Sequence, residues 1–382
     1  MKKLLIAAVM CLLVSLNVLA EEPEKYKFGD YEYTLLDDGT VEIIHFFSEN
    51  EEIAVPEQIE GYEVTSIGDY ACSFCENLER VKLPDSINNL GDNPFRAWDI
   101  SILISPDHPY LATIDGVLFS KPDKRLIYYP DTKESYVVPE GIEIVGDGAF
   151  YFCRRLNSIT LPDTVTRIGS FAFFECDSLS SITLSENITS IGDGAFGECE
   201  ELESINLPES INDVGANPFS KCENIKFNVS KDHPYLAVID GVLFSKSDKR
   251  LVYCPNTKDN YVVPDGIQTI GASAFSSCDG LTSITLPDSV TSIGTNAFYN
   301  CENLSSITLP ENITSIGSAA FGDCISLRSI NLPDSVSRIG LAAFGRCKNL
   351  TITVSRDSYA ATYCEKNGLS YTYPDANDWL NN

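Results

Sequence analysis

Two fourteen-residue stretches, "DHPYLATIDGVLFS" at 107–120 and "DHPYLAVIDGVLFS" at 232–245, differ at one position. They carry His108 and His233, two of the three histidines in the chain, each beside an aspartate, Asp107 or Asp232. A histidine next to a carboxylate is raw material for general acid–base work and for metal ligation. A second reactive pattern is "ACSFC" at 71–75, where Cys72 and Cys75 have the CxxC spacing of redox dithiols and of half a zinc site. A second CxxC that would complete a zinc site is absent, as are HExxH, GxSxG, a phosphate loop and an EF-hand loop. What these residues do depends on the elements that place them.

Those elements repeat. With Ile-Gly or its Leu and Val variants as a marker, the glycines fall at 68, 91, 146, 169, 192, 215, 271, 294, 317 and 340. Seven of the nine intervals are 23 residues and the other two are 55 and 56, so the chain reads as one solenoid with two inserts. A clean unit is "LPDSVTSIGTNAFYNCENLSSIT" at 286–308. Its "LSSITLP" (304–310) alternates as a short strand with Leu304, Ile307 and Leu309 inward and Ser306 and Thr308 outward, and Pro310 ends it. Ile-Gly then reads as a turn, and Ala-Phe-x-x-Cys-x-x-Leu has the spacing of about one helical turn. Stacked units predict a parallel sheet on one face and short helical turns on the other.

The pattern Leu-x-x-Ile-x-Leu-Pro-x-x-Ile/Val-x-x-Ile-Gly-x-x-Ala-Phe-x-x-Cys, repeated in register over residues 26–373, resembles the leucine-rich repeats of BspA-like bacterial surface proteins, the Treponema type. That resemblance implies a leucine-rich repeat solenoid and adhesion to host matrix proteins such as fibronectin or fibrinogen, or to other bacteria. It makes residues 21–52 an N-terminal β-cap, with a hairpin of Tyr31, Tyr33 and Leu35 against Val41 and Ile43 around "DDGT". The solenoid then covers 53–350, with inserts at about 101–135 and 225–260. Residues 351–382 form a C-terminal cap, a helix with Asp357 as N-cap and Gly368 as stop, then a strand.

Residues 1–20, with Lys2 and Lys3 before an apolar run ending in Val18-Leu19-Ala20, read as a secretory signal peptide. No later apolar run is long enough to cross a membrane, and no anchor signal is visible. The formal charge is −28, and losing the two leader lysines makes it −30. Such a field opposes nucleic acid and anionic membrane surfaces. The expectation is a secreted or surface-displayed protein.

Nine cysteines, from Cys75 to Cys347, follow the marker glycine by seven residues, and Trp98 takes that place in the tenth unit. In-register coils give successive sulfurs one orientation, which suits buried free thiols better than disulfides. In Cys72-x-x-Cys75 the first cysteine occupies a slot that other units fill with Phe, and the alternatives are a redox or metal role, a structural disulfide, or chance. For Cys254 and Cys364 the sequence offers no evident disulfide partner.

No catalytic set, metal site or cofactor is expected, and the chain reads as a non-enzymatic binder. Its acidic row after each Pro reads as a solvated edge. Five Asn-x-Ser/Thr sites follow from repeat composition. Two surfaces stand out. The outward strand positions Ser158, Thr160, Ser181, Thr183, Ser204, Asn206, Ser283, Thr285, Ser306 and Thr308 make an uncharged hydroxyl face. It is either a solvated sheet or a binding face for a protein or glycan on a host or bacterial surface. The inserts each carry a hairpin, "VLFS" against "RLIYYP" or "RLVYCP", whose tips hold Lys121, Lys124 and Arg125, and Lys246, Lys249 and Arg250. These basic clusters either discourage edge pairing or contact an acidic partner. His108 and His233, at one fixed place in each insert, read as turn-forming residues leading into the hairpins.

Overall fold

The computed structural model describes residues 24–374 apart from 74, 76, 96–99 and 256–258. The leader, Trp98 and the last residues of the C-terminal cap lie outside the described residues.

Each 23-residue unit makes one coil carrying two strands. Ser158–Thr160 pairs in parallel with Ser181–Thr183, matching Ser158 to Ser181 and Thr160 to Thr183, and this front sheet is the expected one. A back sheet was not anticipated: Arg167–Ile168 pairs in parallel with Ser190–Ile191, so the isoleucine of Ile-Gly is a strand residue and not part of a turn. The glycine has a different reason. A Cβ on Gly192 would lie 2.4 Å from the Ser170 nitrogen and 2.6 Å from the Gly169 carbonyl carbon of the preceding coil, so the marker is set by close backbone approach.

The Ala-Phe-x-x-Cys segment is a run of turns, where the spacing predicted a helical turn. Phe171, Phe173 and Glu175 donate their N–H groups to Asp193, Ala195 and Gly197 of the next coil at 2.7–2.9 Å. A helix would satisfy those donors within itself; here the neighbouring coil offers carbonyls in register. The chain accommodates this with left-handed residues two and six positions after the marker, such as Phe171 (φ 53°) and Glu175 (φ 55°), and again Asn296 (φ 54°) and Asn300 (φ 58°). Ala172, Phe173, Cys176 and Leu179 are still fully buried, as the spacing implied.

Phenylalanines stack in columns along the core. Phe150, Phe173, Phe196 and Phe219 follow at centroid distances of 4.9, 5.2 and 5.5 Å, and Phe275, Phe298, Phe321 and Phe344 at 5.1, 5.2 and 5.5 Å. The two columns are separated where the second insert enters.

The inserts lie inside the fold to a degree that the sequence did not suggest. Val117–Ser120 pairs antiparallel with Arg125–Tyr128, and Arg125–Tyr128 pairs in parallel with Ile144–Val145, so the hairpin joins the back sheet. All four residues of Val117–Ser120 are buried. Leu118 packs into the N-terminal core while Val117 and Phe119 pack into the central one. Val242–Ser245 repeats the arrangement, with Leu243 in the central core and Val242 and Phe244 in the C-terminal one. Since side chains of a strand alternate sides, each hairpin is a partition with a core on both faces.

At the N-terminus Tyr31–Leu35 and Val41–Phe46 form the expected antiparallel hairpin, extended by Tyr26–Phe28. Val41–Phe46 then pairs in parallel with Tyr62–Ile67, joining cap to solenoid. At the other end the helix is Tyr359–Lys366, and its N-cap is Ser358, whose Oγ accepts from the Ala361 N–H. The expected cap, Asp357, lies one residue outside with φ 60°. Gly368 (φ 64°) follows the helix, and Tyr371–Thr372 pairs with Thr351–Thr353. Among the described residues no helix is long and apolar enough to cross a membrane.

Candidate functional site

The histidines are structural. His108 and His233 are 0% exposed. Nδ1 of His108 accepts from the Tyr110 and Leu111 N–H groups at 3.3 and 3.1 Å, which leaves Nε2 to donate to the Pro84 carbonyl at 3.0 Å. His233 makes the same set with Tyr235, Leu236 and Pro208. All ring nitrogens are thus committed to the backbone, pinning each insert to the coil before it. Asp107 and Asp232 are exposed and take no part in these bonds.

The cysteine column is unbridged and buried, except that Cys347 at its end is half-buried. Cys176, Cys199 and Cys222 donate to the carbonyls of Phe150, Phe173 and Phe196 at 3.1, 3.1 and 3.0 Å, and Cys301, Cys324 and Cys347 do the same to Phe275, Phe298 and Phe321. Burial pushes these thiols up, to about 12 for Cys222 and Cys301 and about 11 for Cys347.

The front sheet presents the hydroxyl residues in blocks. Ser158, Thr160, Ser181 and Thr183 share one sheet with Ser135–Val137. Ser204 and Asn206 pair with Lys226 and Asn228 in a second, and Ser283, Thr285, Ser306 and Thr308 share a third with Asn260–Val262. Two residues missed in the sequence head these blocks. Val137 sits in register with Thr160 and Thr183, and Val262 with Thr285 and Thr308. They are 68% and 69% exposed. The signal was available, since "YVVP" twice puts valine where the repeat has threonine. Ile114 and Ile239, at the first turn of each hairpin, are also exposed.

The hairpin tips divide by role. Lys121, Lys124, Lys246 and Lys249 are exposed, but Lys121 Nζ donates to the His108 carbonyl and Lys246 Nζ to that of His233. Lys124 pairs with Glu143. Arg125 and Arg250 turn inward, with Arg125 Nη2 on the Leu90 carbonyl at 2.8 Å and Arg250 Nη2 on the Val214 carbonyl at 2.6 Å.

Near Arg125 three aspartates of successive markers converge. Burial first, then the charges of Asp147 and Asp69, push the Asp92 carboxyl up to about 6 against the pull of Arg125. Among the described residues no group of three His, Cys, Asp or Glu side chains is placed to hold a metal ion.

The sequence matches the model of the BspA-type leucine-rich repeat region over residues 47–124, 123–250 and 245–364. The chain belongs to the BspA-type leucine-rich repeat family. This bacterial family is surface-associated and its repeats serve as a binding scaffold. Among solved structures, this BspA-type chain is similar to a leucine-rich cell surface protein from Faecalibacterium prausnitzii A2-165. The two are 26% identical, with 94% of this chain and 97% of that one covered and a TM-score of 0.55. Pneumococcal vaccine antigen PcpA shares the fold at 21% identity, with 88% and 82% covered and a TM-score of 0.53. No curated protein matches the sequence.

Proposed function

We propose that this BspA-type protein is exported by its N-terminal leader and acts at the cell surface as a non-enzymatic adhesin that binds a protein through the front sheet. The observation that carries this reading is the pair Val137 and Val262. Two valines about two-thirds exposed stand at equivalent ends of uncharged hydroxyl rows. A solvated strand face has no use for valine there, whereas a contact surface gains from an apolar anchor ringed by small polar groups. The acidic net charge favours solubility of the solenoid, while the rows that start at Val137 and Val262 carry no charge at Thr160, Thr183, Thr285 and Thr308.

The test is to immobilise residues 21–382 and present matrix proteins, cell surfaces and glycans in one panel. Binding to a purified matrix protein should fall about tenfold or more in the double variant Val137→Lys, Val262→Lys, equivalent to about 1.4 kcal/mol. Unchanged binding in that variant would remove the front sheet from the proposal. Sugar-inhibitable binding would favour the second reading, an envelope or glycan-binding protein without host contact. Binding that survives the valine change but weakens with salt and with Lys121, Lys124, Lys246 and Lys249 reversed to Glu would move the contact to the hairpin tips.

A further inference from the structure

We propose that Cys72 and Cys75 are a redox-active dithiol that closes to an intramolecular disulfide on meeting a disulfide oxidant, while the rest of the cysteine column, Cys153 to Cys347, stays reduced. Cys72 stands where other coils place a core phenylalanine such as Phe150, Phe173 or Phe196, so the column alone does not account for it. Both residues are buried, and the Cys75 N–H donates to the Cys72 carbonyl at 3.2 Å, an i to i+3 contact that turns the chain back on itself. A turn of this kind can bring the two side chains into the geometry of a bridge, whereas sulfurs of successive coils share one orientation, which a disulfide does not suit.

The thiols also interact with each other. Hydrogen bonding from Cys72 holds the Cys75 thiol down at about 7, and the same bond with burial raises Cys72. Every other cysteine with a resolved shift is raised. Cys153 and Cys176 touch as well, but Cys176 is fully buried and committed to the Phe150 carbonyl at 3.1 Å. Among the described cysteines with a resolved shift, Cys75 is the one whose thiolate is favoured, and it lies beside a second thiol.

The exchange has two steps. The Cys75 thiolate attacks one sulfur of a disulfide R–S–S–R, forming a mixed disulfide and releasing one thiolate R–S⁻. Cys72 gives up its proton and attacks the Cys75 sulfur, forming the Cys72–Cys75 bond and expelling the second R–S⁻. Two protons move to the released thiolates; the dithiol is oxidised by two electrons and R–S–S–R is reduced by two. Both residues are 2% exposed, so the attack accompanies local opening of the first coil or its folding. The bridge would fix the junction with the N-terminal cap, where Cys75 Sγ already lies 3.6 Å from the Phe46 carbonyl.

The proposal rests on export only for where the oxidant is met, so the test uses purified protein. The reduced full chain, both native and refolding from denaturant, is incubated with oxidised glutathione at neutral pH, quenched in acid, unfolded, alkylated and mapped by mass spectrometry. The expected result in at least one arm is loss of two of the chain's 13 thiols, with a Cys72–Cys75 peptide link. Cys72→Phe, which restores the residue of the other coils, should fold and show no bridge at Cys75. Full alkylation in both arms, a glutathione adduct that never resolves, or a bridge elsewhere would overturn the proposal.

Discussion

The guanidinium of Arg125 donates through Nη2 to the Leu90 carbonyl at 2.8 Å, across 35 residues of chain, and Arg250 makes the same contact with Val214. In regular coils the carbonyl before a marker glycine accepts from the marker N–H of the next coil, as Ile67 does from Gly91 and Val145 from Gly169. Leu90 and Val214 stand just before the inserts, where the ladder moves to the hairpin: Gly146 donates to Leu126 and Gly271 to Leu251. The arginines supply the missing donor. Arg125→Met or Arg250→Met, which keep much of the stem, should each cost about 1–3 kcal/mol. Lys124→Ala should change stability by less than about 0.5 kcal/mol. Denaturant titration compares them, and equal effects would contradict the assignment.

His233 ties three backbone groups together from a fully buried position. His233→Ala leaves two N–H groups and a carbonyl without partners and opens a cavity, at a cost of about 2–4 kcal/mol. Hydrogen exchange should locate the loss, with the Tyr235 and Leu236 amides exchanging faster while those of the first insert stay protected. Uniform acceleration along the chain would show that the histidine does not act locally.

Asp92 is held in a folded environment that disfavours its charge. Its folded value of about 6 lies above the ordinary carboxyl range, so the native state takes up a proton before the unfolded chain does. Stability at this site therefore rises as pH falls from about 6 towards about 4, and the penalty is fully present at pH 7. The side chain is 42% exposed, so screening reduces the penalty to about 1 kcal/mol or less. Asp92→Asn should raise the melting temperature at pH 7 and leave it unchanged at pH 4. The second copy has Ala216 at the equivalent place.

The cysteine column sets the opposite limit. Thiols raised in the folded state stay protonated while the unfolded chain ionises, so stability is full below about pH 8.5 and falls as pH rises towards 11 or 12. Each such thiol adds up to about 1.4 kcal/mol per pH unit to the slope. Melting between pH 8 and 10 should show a steep decline. A flat profile would mean that the sulfurs are not buried as acids. In the native protein at pH 8 these thiols should react with a thiol reagent far more slowly than in the unfolded chain.

Most of the solenoid was legible because burial repeats with the sequence. Ala172, Phe173, Cys176 and Leu179 point inward whether their backbone is helical or a run of turns, so the spacing identified the core and not its conformation. The candidate face was legible in the same way, since Ser158 and Thr160 alternate with Ile159. Val137 and Val262 were missed although "YVVP" sets them in the repeat's threonine position, because only the folded sheet shows that these valines stand exposed at its edge. Arg125 was read as a tip residue because nothing in "KPDKR" shows that Leu90 lacks a donor.

By itself the sequence determined the period, the family, the apolar columns and the existence of two equivalent inserts, because each of these is a local pattern copied along the chain. Only the tertiary structure decided that Ile-Gly builds a back sheet, that the hairpins are internal partitions, and which basic residues face inward. Those outcomes turn on backbone donors and acceptors that find partners one coil away, and stacking alone brings those partners together.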